Sequence, residues 1–495
     1  MSYPSCVVNG ATLRGVEALP VQVEVIVSAG IPSFSIVGMP DAAIQESRER
    51  VKAALRTSGF AMPTDKIVVN LAPGALKKTG SGFDLPIALG LLVATGQVSP
   101  SLVEGRLVVG ELSLQGEVRC VPGILAYQRC AALMGLDVLT GVPNESLVNV
   151  EGVACFGLER MAKARFEVDE LKFREIAPAS CSAPDYSDVL GHESAKRALQ
   201  IAATGGHGAI MVGPPGSGKT MLASRFPSIL PPLQESERIE SALVHSVVGE
   251  DIVPLLQGIR PFRAPHHSAT MAGLIGGGSP PHPGEASLAH NGVLFLDELA
   301  EFKPSVLQTL RQPMEEGAVR ITRADGTYTF PASFSLLAAT NPCPCGHFGD
   351  PSGQCRCSAM QVRAYQGRMG GPLLDRISIR VDVWRGDERS LLVGRAGSSS
   401  ADLREGVQRG RVFAQKRGRA LQKPGLSALR EECNMTADAE SFLLSLVEGK
   451  GVGARAMAKT LSLARTVADI EESERVLKRH VSEAYTLRFG GGMEL

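Results

Sequence analysis

The chain of 495 residues is long enough for about three domains of roughly 150 residues each, with more than one buried core. Lys and Arg total 51 and Asp and Glu total 51, so the formal net charge is zero. This balance excludes a protein that coats nucleic acid or membrane through bulk charge. Aromatic residues make up only 5% of the chain, which disfavours a module that binds bases mainly by stacking.

The sequence predicts a soluble, cytoplasmic protein. Its first residues lack the basic stretch and apolar core of a signal peptide. Apolar runs such as residues 85–95 are shorter than the ~20 residues of a membrane span. Ten cysteines are too few for a disulfide scaffold in a chain of this length, so we expect reduced thiols or metal ligands.

The first part of the chain, residues 1–165, mixes short strands and helices. Residues 22–27 alternate apolar and polar side chains, and residues 66–71 and 106–109 are short apolar runs, so all three predict strands. Residues 42–57 predict a helix whose N-cap is Asp41, because this residue follows a Met-Pro turn.

Composition divides the rest of the chain into three stretches. Residues 166–184 are charged, then small and proline-containing, which is typical of a linker between domains. Residues 185–390 alternate predicted strands and helices, the pattern of a parallel α/β core. After a Gly-Ser break, residues 400–495 predict a helical C-terminal domain.

A phosphate-binding loop is predicted between a buried strand at residues 209–212 and a helix at residues 221–226. The loop fits G-x-x-x-x-G-K-[ST] at every fixed position. Its residues are Gly213, Pro214, Pro215, Gly216, Ser217, Gly218, Lys219 and Thr220. Backbone N–H groups of such a loop wrap phosphates, the lysine bridges the β- and γ-phosphates, and the threonine hydroxyl holds Mg²⁺. The alternative, a glycine turn that only caps a helix, does not explain the full match.

Polar residues follow two further predicted strands. Asp297 and Glu298 come after residues 293–296, where Asp297 would hold Mg²⁺ through water and Glu298 would polarise the attacking water. Alone, such an acidic pair is commonly a helix start; beside a phosphate loop it indicates a hydrolase. Asn341 follows the strand at residues 334–339 and would position that water, although Asn is also a common turn residue.

Five segments resemble the magnesium-chelatase-like family of AAA+ ATPases. They are DVLGHESAKRALQIAATGGH, FRAPHHSAT, PGEASLAHNGVLFLDELAEF, NPCPCGHFGDP and GPLLDRISIR. The resemblance spans residues 7–487 and implies an α/β P-loop AAA+ core with a parallel sheet and a C-terminal helical lid. It also implies that Asn341 is the sensor-1 residue, that Arg376 is an arginine finger for a neighbouring subunit's γ-phosphate, and that Arg455 is the sensor-2 residue. A local ion pair with Asp375 is the alternative for Arg376.

Residues 1–165 resemble the Lon-protease-like fold, of the ribosomal S5 type, through LKKTGSGFDLPIALGLL and GELSLQGEVRC. Lon-type peptidases use a Ser–Lys pair. Here Ser81 is not at the position that the resemblance implies, and no lysine lies between Lys78 and Lys163. We therefore expect a proteolytically inactive domain that serves assembly, or DNA contact through Lys77 and Lys78. A solvated turn is the alternative for these two lysines.

Four clustered cysteines predict a metal site. Cys343, Cys345, Cys355 and Cys357 offer four sulfurs for a structural Zn²⁺. The C-x-C spacing is tighter than the usual C-x₂-C, so reduced thiols remain the alternative. His266 and His267 are a further pair of metal-ligand types, but as an isolated pair they predict a structural role.

Besides Lys77 and Lys78, three further segments are candidates for DNA contact. Residues 317–330 predict a hairpin with Asp325 and Gly326 at its turn, and the resemblance implies that it faces a ring pore, where Arg320 and Arg323 would touch phosphates. Residues 272–284 are a second candidate pore loop. A basic run in the C-terminal part is either a solvated helix face or a DNA contact, and consists of Arg411, Lys416, Arg417, Arg419 and Lys423.

The resemblance implies a homohexameric ring that uses ATP and Mg²⁺ to translocate single-stranded or branched DNA. It implies no membrane partner. Some members of the family resemble helicases that drive branch migration during homologous recombination in natural transformation. A second hypothesis is an ATP-driven chaperone for metal insertion, as in magnesium chelatase; the Lon-like domain, absent from that motor, argues against it. A third is an ATP-dependent protease, against which the missing lysine argues.

Overall fold

The computed structural model describes residues 4–143, 147–166, 168–173, 176–177, 179, 183–350, 355–384, 397–418, 426–450 and 453–490. Arg419, Lys423 and part of the predicted linker lie outside these residues. None of the helices in the described part of the chain combines the length and the apolarity needed to cross a bilayer.

The N-terminal part is built on a mixed eight-stranded sheet. Its elements are β1 (Ser5–Arg14), β2 (Glu17–Ser28), β3 (Ser33–Val37), α1 (Ala42–Thr57), β4 (Lys66–Ala72), α2 (Asp84–Ala94), β5 (Arg106–Val108), β6 (Glu111–Leu112), β7 (Val118–Arg119), α3 (Ile124–Met134), β8 (Asp137–Thr140), β9 (Cys155–Gly157) and β10 (Asp169–Glu170). The strand order is β10-β9-β8-β5-β1-β2-β4-β3, and β6 and β7 form a separate two-stranded hairpin.

Alternation of side chains explains how this sheet packs. In β2 every second residue from Val21 to Val27 is buried, so one face carries the apolar set against α2, whose residues from Asp84 to Leu92 are all buried. The predicted strands at 22–27, 66–71 and 106–109 are present, as is the helix at 42–57. Its N-cap is Asp41, whose carboxylate accepts a hydrogen bond of 2.9 Å from the Ile44 N–H. The sheet continues through β10, beyond the predicted boundary at residue 165.

The central part contains a five-stranded parallel sheet. Its elements are α4 (Glu193–Gly205), β11 (Ala209–Val212), α5 (Lys219–Arg225), α6 (Glu235–Ser246), α7 (Val253–Leu256), β12 (Phe262–Arg263), α8 (Met271–Ile275), β13 (Gly276–Gly277), β14 (His282–Pro283), α9 (Glu285–Leu288), β15 (Val293–Leu296), α10 (Pro304–Thr309), α11 (Arg311–Glu316), β16 (Ala318–Arg323), β17 (Gly326–Pro331), β18 (Ser335–Thr340), α12 (Ala359–Gly367), α13 (Gly371–Leu374) and β19 (Ile379–Asp382). The order of the parallel strands is β12-β15-β18-β11-β19.

The predicted hairpin is present as β16 and β17, joined at residues 324–325. The second candidate pore loop is not a loop throughout: its residues form most of α8 and the short antiparallel pair β13–β14. The strands β11, β15 and most of β18 are fully buried, which explains their continuous apolar sequences.

Five helices form the described C-terminal part; the first, fourth and fifth pack on α4 or β19, and the other two pack on the fourth and fifth. They are α14 (Ser400–Lys416), α15 (Leu426–Cys433), α16 (Ala437–Lys450), α17 (Ala454–Ile470) and α18 (Lys478–Phe489) among the described residues. The basic run is partly structural. Arg417 forms an ion pair of 2.9 Å with the buried Asp469, and Arg411 donates to the Ala203 carbonyl at 2.6 Å. These two arginines stabilise helix packing, so DNA contact is not supported for them.

Candidate active site

The phosphate-binding loop joins β11 to α5. Gly216 and Gly218 have φ angles of 73° and 89°, a backbone conformation that favours glycine. A side chain at Gly213 would overlap the Val383 carbonyl, so this position also requires glycine. The predicted helix after the loop begins slightly earlier than expected, at Lys219. Its N-terminal N–H groups and the loop amides therefore form a cradle suited to an anion.

Lys219 lies at the centre of this cradle. Its ammonium donates hydrogen bonds to the carbonyls of Gly213 at 2.7 Å and Pro214 at 2.9 Å, and to Asn341 Oδ1 at 3.3 Å. Burial lowers the pKa of Lys219 to about 8, opposed by the nearby Asp297 and Glu298 carboxylates. The structure therefore brings together a cation, a phosphate loop and the amide of Asn341.

The carboxyl ends of β11, β15 and β18 meet at one edge of the sheet, which places a metal-ligand set beside the loop. Thr220 Oγ1 donates to Asp297 Oδ2 at 2.7 Å. A hydroxyl and a carboxylate side by side are the hard oxygen donors that Mg²⁺ prefers, so the set fits this ion. Glu298 has the left-handed conformation φ 50°, ψ 48°, which is uncommon for residues other than glycine and concentrates at functional sites.

Two histidines that were predicted to be structural, His266 and His267, lie at the same site. A cleft of about 340 Å³ is lined by residues that include Thr220, Asp297, Glu298, His266 and His267. His267 Nδ1 is 3.4 Å from Glu298 Oε2. No spacing motif predicts this contact. It arises because β12, which precedes the histidines, pairs with β15, which precedes Glu298.

Arg376 and Arg455 do not lie at the phosphate loop of their own chain. Arg376 precedes β19, whose first residue Ile379 pairs with Ala209 at the start of β11, whereas the phosphate loop follows the end of β11. At about 3.3 Å per residue, the strand separates Arg376 from its own loop by at least roughly 10 Å. The guanidinium forms an ion pair with Glu315 rather than serving its own phosphate loop, and this hydrogen bond lowers the pKa of Glu315.

Arg455 belongs to the same basic cluster as Arg376. It is exposed at the start of α17, and its charge helps to lower the pKa values of Glu315 and Lys459. Burial is the main cause of the lowered pKa of Lys459, which is about 7. The structure thus places Arg376, Arg455 and Lys459 together, at the opposite edge of the sheet from Lys219.

The four predicted metal-ligating cysteines form one cluster, called here the four-cysteine cluster. Their sulfur atoms all lie within 4.8 Å of one another. The distances from Cys343 Sγ are 3.3 Å to Cys345 Sγ and 3.8 Å to Cys355 Sγ, and none of the four is in a disulfide. These separations are far beyond an S–S bond of about 2.05 Å. The donor set is therefore suited to a tetrahedral, thiolate-binding metal.

The DNA-contact candidates have different surroundings. Arg320 is 61% exposed on β16, 3.7 Å from Glu316, and Arg323 donates to the Gly278 carbonyl at 3.5 Å. Lys77 forms a 3.4 Å ion pair with Asp325 at the turn of the hairpin. Lys78 is fully buried and donates to the carbonyls of Gly38 and Pro73, so its prediction as a DNA contact is wrong.

In its described contacts, Ser81 lacks the amine partner of a Ser–Lys peptidase pair. Its hydroxyl donates to Glu111 Oε2 at 2.7 Å, and a carboxylate that accepts this hydrogen bond differs from the amine of a Ser–Lys pair. A Cβ at the adjacent Gly82 would lie 3.0 Å from Val109 Cγ2, which leaves little room for a larger residue.

A phosphate loop, an acidic pair and an asparagine at one edge of a parallel sheet define a P-loop protein of the AAA+ type. Sequence profiles agree with this class. Residues 185–391 match the family described as magnesium chelatase, subunit ChlI. Residues 23–142 match subunit ChlI of Mg-chelatase, and residues 397–488 match the C-terminal region of subunit ChlI.

Relatives extend the match to nearly the whole chain. YifB of Salmonella typhimurium is 37% identical over 97% of this chain and 96% of its own length. Competence protein ComM of Haemophilus influenzae is 38% identical over 97% of both chains. The magnesium-chelatase 67 kDa subunit of Chlorobaculum parvum is 28% identical over 32% of this chain and 23% of its own. The chain belongs to the magnesium-chelatase-like AAA+ family that includes YifB and ComM.

Proposed function

We propose that the protein is an ATP-driven motor that translocates DNA and promotes branch migration during recombination. The observation that carries the ATPase part is the meeting of Lys219, Thr220, Asp297 and Asn341 through hydrogen bonds of 2.7 and 3.3 Å. These groups follow three separate strands, and their convergence is what phosphoryl transfer requires.

Each side chain has a role that follows from its position. The loop amides and Lys219 would bind the phosphates, while Thr220 and Asp297 would hold Mg²⁺, which neutralises charge on the phosphate oxygens. Glu298 would accept the proton of the attacking water, because it lies beside Asp297 and opens onto the cleft. Asn341 would orient the γ-phosphate or the water from the side of Lys219.

We propose that hydrolysis is completed by a second copy of the chain. Arg376 lies at the sheet edge opposite its own phosphate loop, so it is suited to a neighbour's γ-phosphate rather than its own. Glu315 pairs with Arg376 in the single chain, and a γ-phosphate would compete for the guanidinium. Arg455, near the same edge, is proposed to act with it. A closed hexameric ring satisfies every such interface.

DNA as the translocated partner is supported by the relative named for competence and by the exposed Arg320 on the hairpin. Arg323 of the hairpin donates to the carbonyl of Gly278, which follows β13, so both candidate pore segments form one surface. The N-terminal part is proposed to be a proteolytically inactive Lon-like domain. The four-cysteine cluster is proposed to bind one structural Zn²⁺ per chain.

Metal insertion remains the second candidate, because residues 23–142 match a profile described as a chelatase subunit. The argument that the N-terminal domain is foreign to chelatases is therefore weakened. DNA distinguishes the two functions, since only the first predicts that DNA accelerates ATP turnover.

The test measures steady-state ATPase activity with single-stranded DNA, a four-way junction, or no DNA, and follows junction migration by gel. We expect stimulation by DNA, migration with ATP, and loss of both with Lys219→Ala. Arg320→Ala should lower the DNA stimulation and leave the DNA-free rate unchanged, with the exposed Arg409→Ala as the matched control. ATPase activity that no DNA stimulates would contradict the translocase proposal while leaving the ATPase site intact.

A further inference from the structure

We infer that Zn²⁺ in the four-cysteine cluster holds Asn341 and the phosphate loop in their catalytic arrangement, so that metal occupancy controls ATP turnover. This inference rests on the proposed ATPase and zinc functions. It concerns residues 341–348, which run from the catalytic asparagine through the first two metal ligands.

The cluster approaches the geometry of a tetrahedral site: the Cys343 and Cys345 sulfurs are closer together, at 3.3 Å, and the distances to Cys355 agree with it. Four sulfurs at about 2.3 Å from one Zn²⁺ lie roughly 3.8 Å apart. Cys355 Sγ is 3.8 Å from Cys343 Sγ and 3.7 Å from Cys345 Sγ. The Phe348 N–H donates to Cys343 Sγ at 3.3 Å, an outer contact of the kind that orients a metal ligand.

The first connection to the ATP site is covalent and short. Cys343 follows Asn341 by two residues, a reach of at most about 7 Å. Asn341 Oδ1 accepts the hydrogen bond from Lys219, and the intervening Pro342 carbonyl accepts one of 3.1 Å from Gln366 Nε2. Cys343 itself is fully buried. A displacement of the Cys343 sulfur therefore moves the asparagine side chain relative to Lys219.

The second connection is a packing contact. Gly346 lies in the turn after Cys345 with φ 82°, and its N–H donates to the Cys343 carbonyl at 2.9 Å. A Cβ on Gly346 would overlap the ring of Pro215, which belongs to the phosphate loop. The metal-binding turn thus lies directly against the loop that binds the phosphates.

A metal is needed because this segment has little apolar surface of its own. Residues 343–357 read CPCGHFGDPSGQCRC, in which Phe348 is the one large apolar side chain. Zn²⁺ would join residues 343–345 to residues 355–357 and so fix the turn against Pro215. Removing the metal would release the turn, and with it the position of Asn341, while the amides of the phosphate loop remain.

The test compares wild type with the double variant Cys355→Ser/Cys357→Ser, which removes the two ligands farther from Asn341 in the chain. We measure zinc per chain by mass spectrometry, ADP affinity by calorimetry, and kcat for ATP. Wild type should hold one zinc. The variant should lose it, keep ADP affinity within about threefold, and lose about tenfold or more in kcat. Cys120→Ser, a thiol outside the cluster, is the matched control and should keep both zinc and kcat.

A second set of variants keeps the inference testable if the cysteine variant folds poorly. Gly346→Ala leaves all four ligands and should retain one zinc while kcat falls, because its methyl group displaces Pro215. In an Asn341→Ala background, loss of zinc should lower kcat by less than it does in wild type, since the two changes act on one element.

The outcomes separate the proposals. Wild type without zinc would refute the metal site itself. Zinc that is present, then lost in the double variant without change in kcat, would refute the coupling and leave the metal site standing. Strictly additive losses with Asn341→Ala would show that the metal does not act through this residue. Failure of the ATPase proposal would appear separately, as normal turnover in Lys219→Ala.

Discussion

Replacing Arg376 by Ala is expected to abolish ATP turnover. A neighbouring subunit that retains Arg376 should restore this turnover in a mixed ring. The side chain lies at the edge of the sheet opposite its own phosphate loop, at least roughly 10 Å away along β19. A finger that supplies charge to a neighbour's γ-phosphate contributes roughly 10³-fold or more to kcat. We therefore expect kcat to fall by about three orders of magnitude, with little change in ADP affinity.

Mixing shows whether the arginine acts between subunits. An active interface needs Lys219 from one chain and Arg376 from the next. In random rings of Lys219→Ala and Arg376→Ala chains at equal amounts, about one quarter of the interfaces contain both. The mixture should therefore regain up to about a quarter of wild-type turnover, measured by coupled ATPase assay after subunit exchange, whereas each variant alone stays inactive.

Loss of the ion pair must be separated from loss of the finger. Glu315→Gln removes the carboxylate that pairs with Arg376 in the single chain but keeps the guanidinium. We expect this control to retain at least about a third of wild-type kcat, because the pair is only partly shielded from solvent. A mixture that stays as inactive as its components, in rings confirmed by electron microscopy, would refute the assignment of Arg376 to the neighbouring site.

Three further outcomes are expected. Burial lowers the pKa of Lys219 to about 8, and only the protonated ammonium binds phosphate. The apparent affinity for ATP should therefore weaken as the pH rises above about 8, by up to about tenfold per pH unit. An affinity that calorimetry finds constant from pH 7 to about 9.5 would contradict this. Arg465→Ala should lower the free energy of unfolding by about 2 to 4 kcal/mol in denaturant titrations, since it removes one of the two guanidiniums paired with the buried Asp469 and the donor to the Ser473 and Glu474 carbonyls. The exposed Arg409→Ala should change it by less than about 0.5 kcal/mol. His267→Ala should lower kcat by about tenfold, because His267 lies 3.4 Å from the proposed catalytic carboxylate of Glu298. An unchanged kcat would assign His267 a packing role only.

Features encoded within one short stretch were predictable from the sequence. The phosphate loop, the strand before it and the Asp41-capped helix depend on neighbouring residues, and the structure has all three. The same holds for the hairpin whose turn includes Asp325. Parallel strands end at a common edge, so local patterns also predicted that Thr220 and Asp297 lie together.

Features that depend on distant packing were not predictable. Lys78 reads as a surface charge, yet the carbonyls of Gly38 and Pro73 bind its ammonium inside the N-terminal part. Arg417 reads as part of a basic face, but it pairs with Asp469, 52 residues later. The approach of His267 to the active site depends on strand order, which a single sequence does not specify.

The turn of the β16–β17 hairpin is not a free tip. Asp325 is held by the Lys77 ion pair, its carbonyl accepts from Arg14 Nη2 at 3.1 Å, and Arg14 also lies over the ring of Tyr328. The hairpin is thus fixed at both ends and connects the five-stranded parallel sheet to β1. If the hairpin moves during the proposed ATPase cycle, it must carry the N-terminal sheet with it or break these contacts. In the proposed motor, the N-terminal part would therefore be a mechanical load on every cycle of ATP hydrolysis.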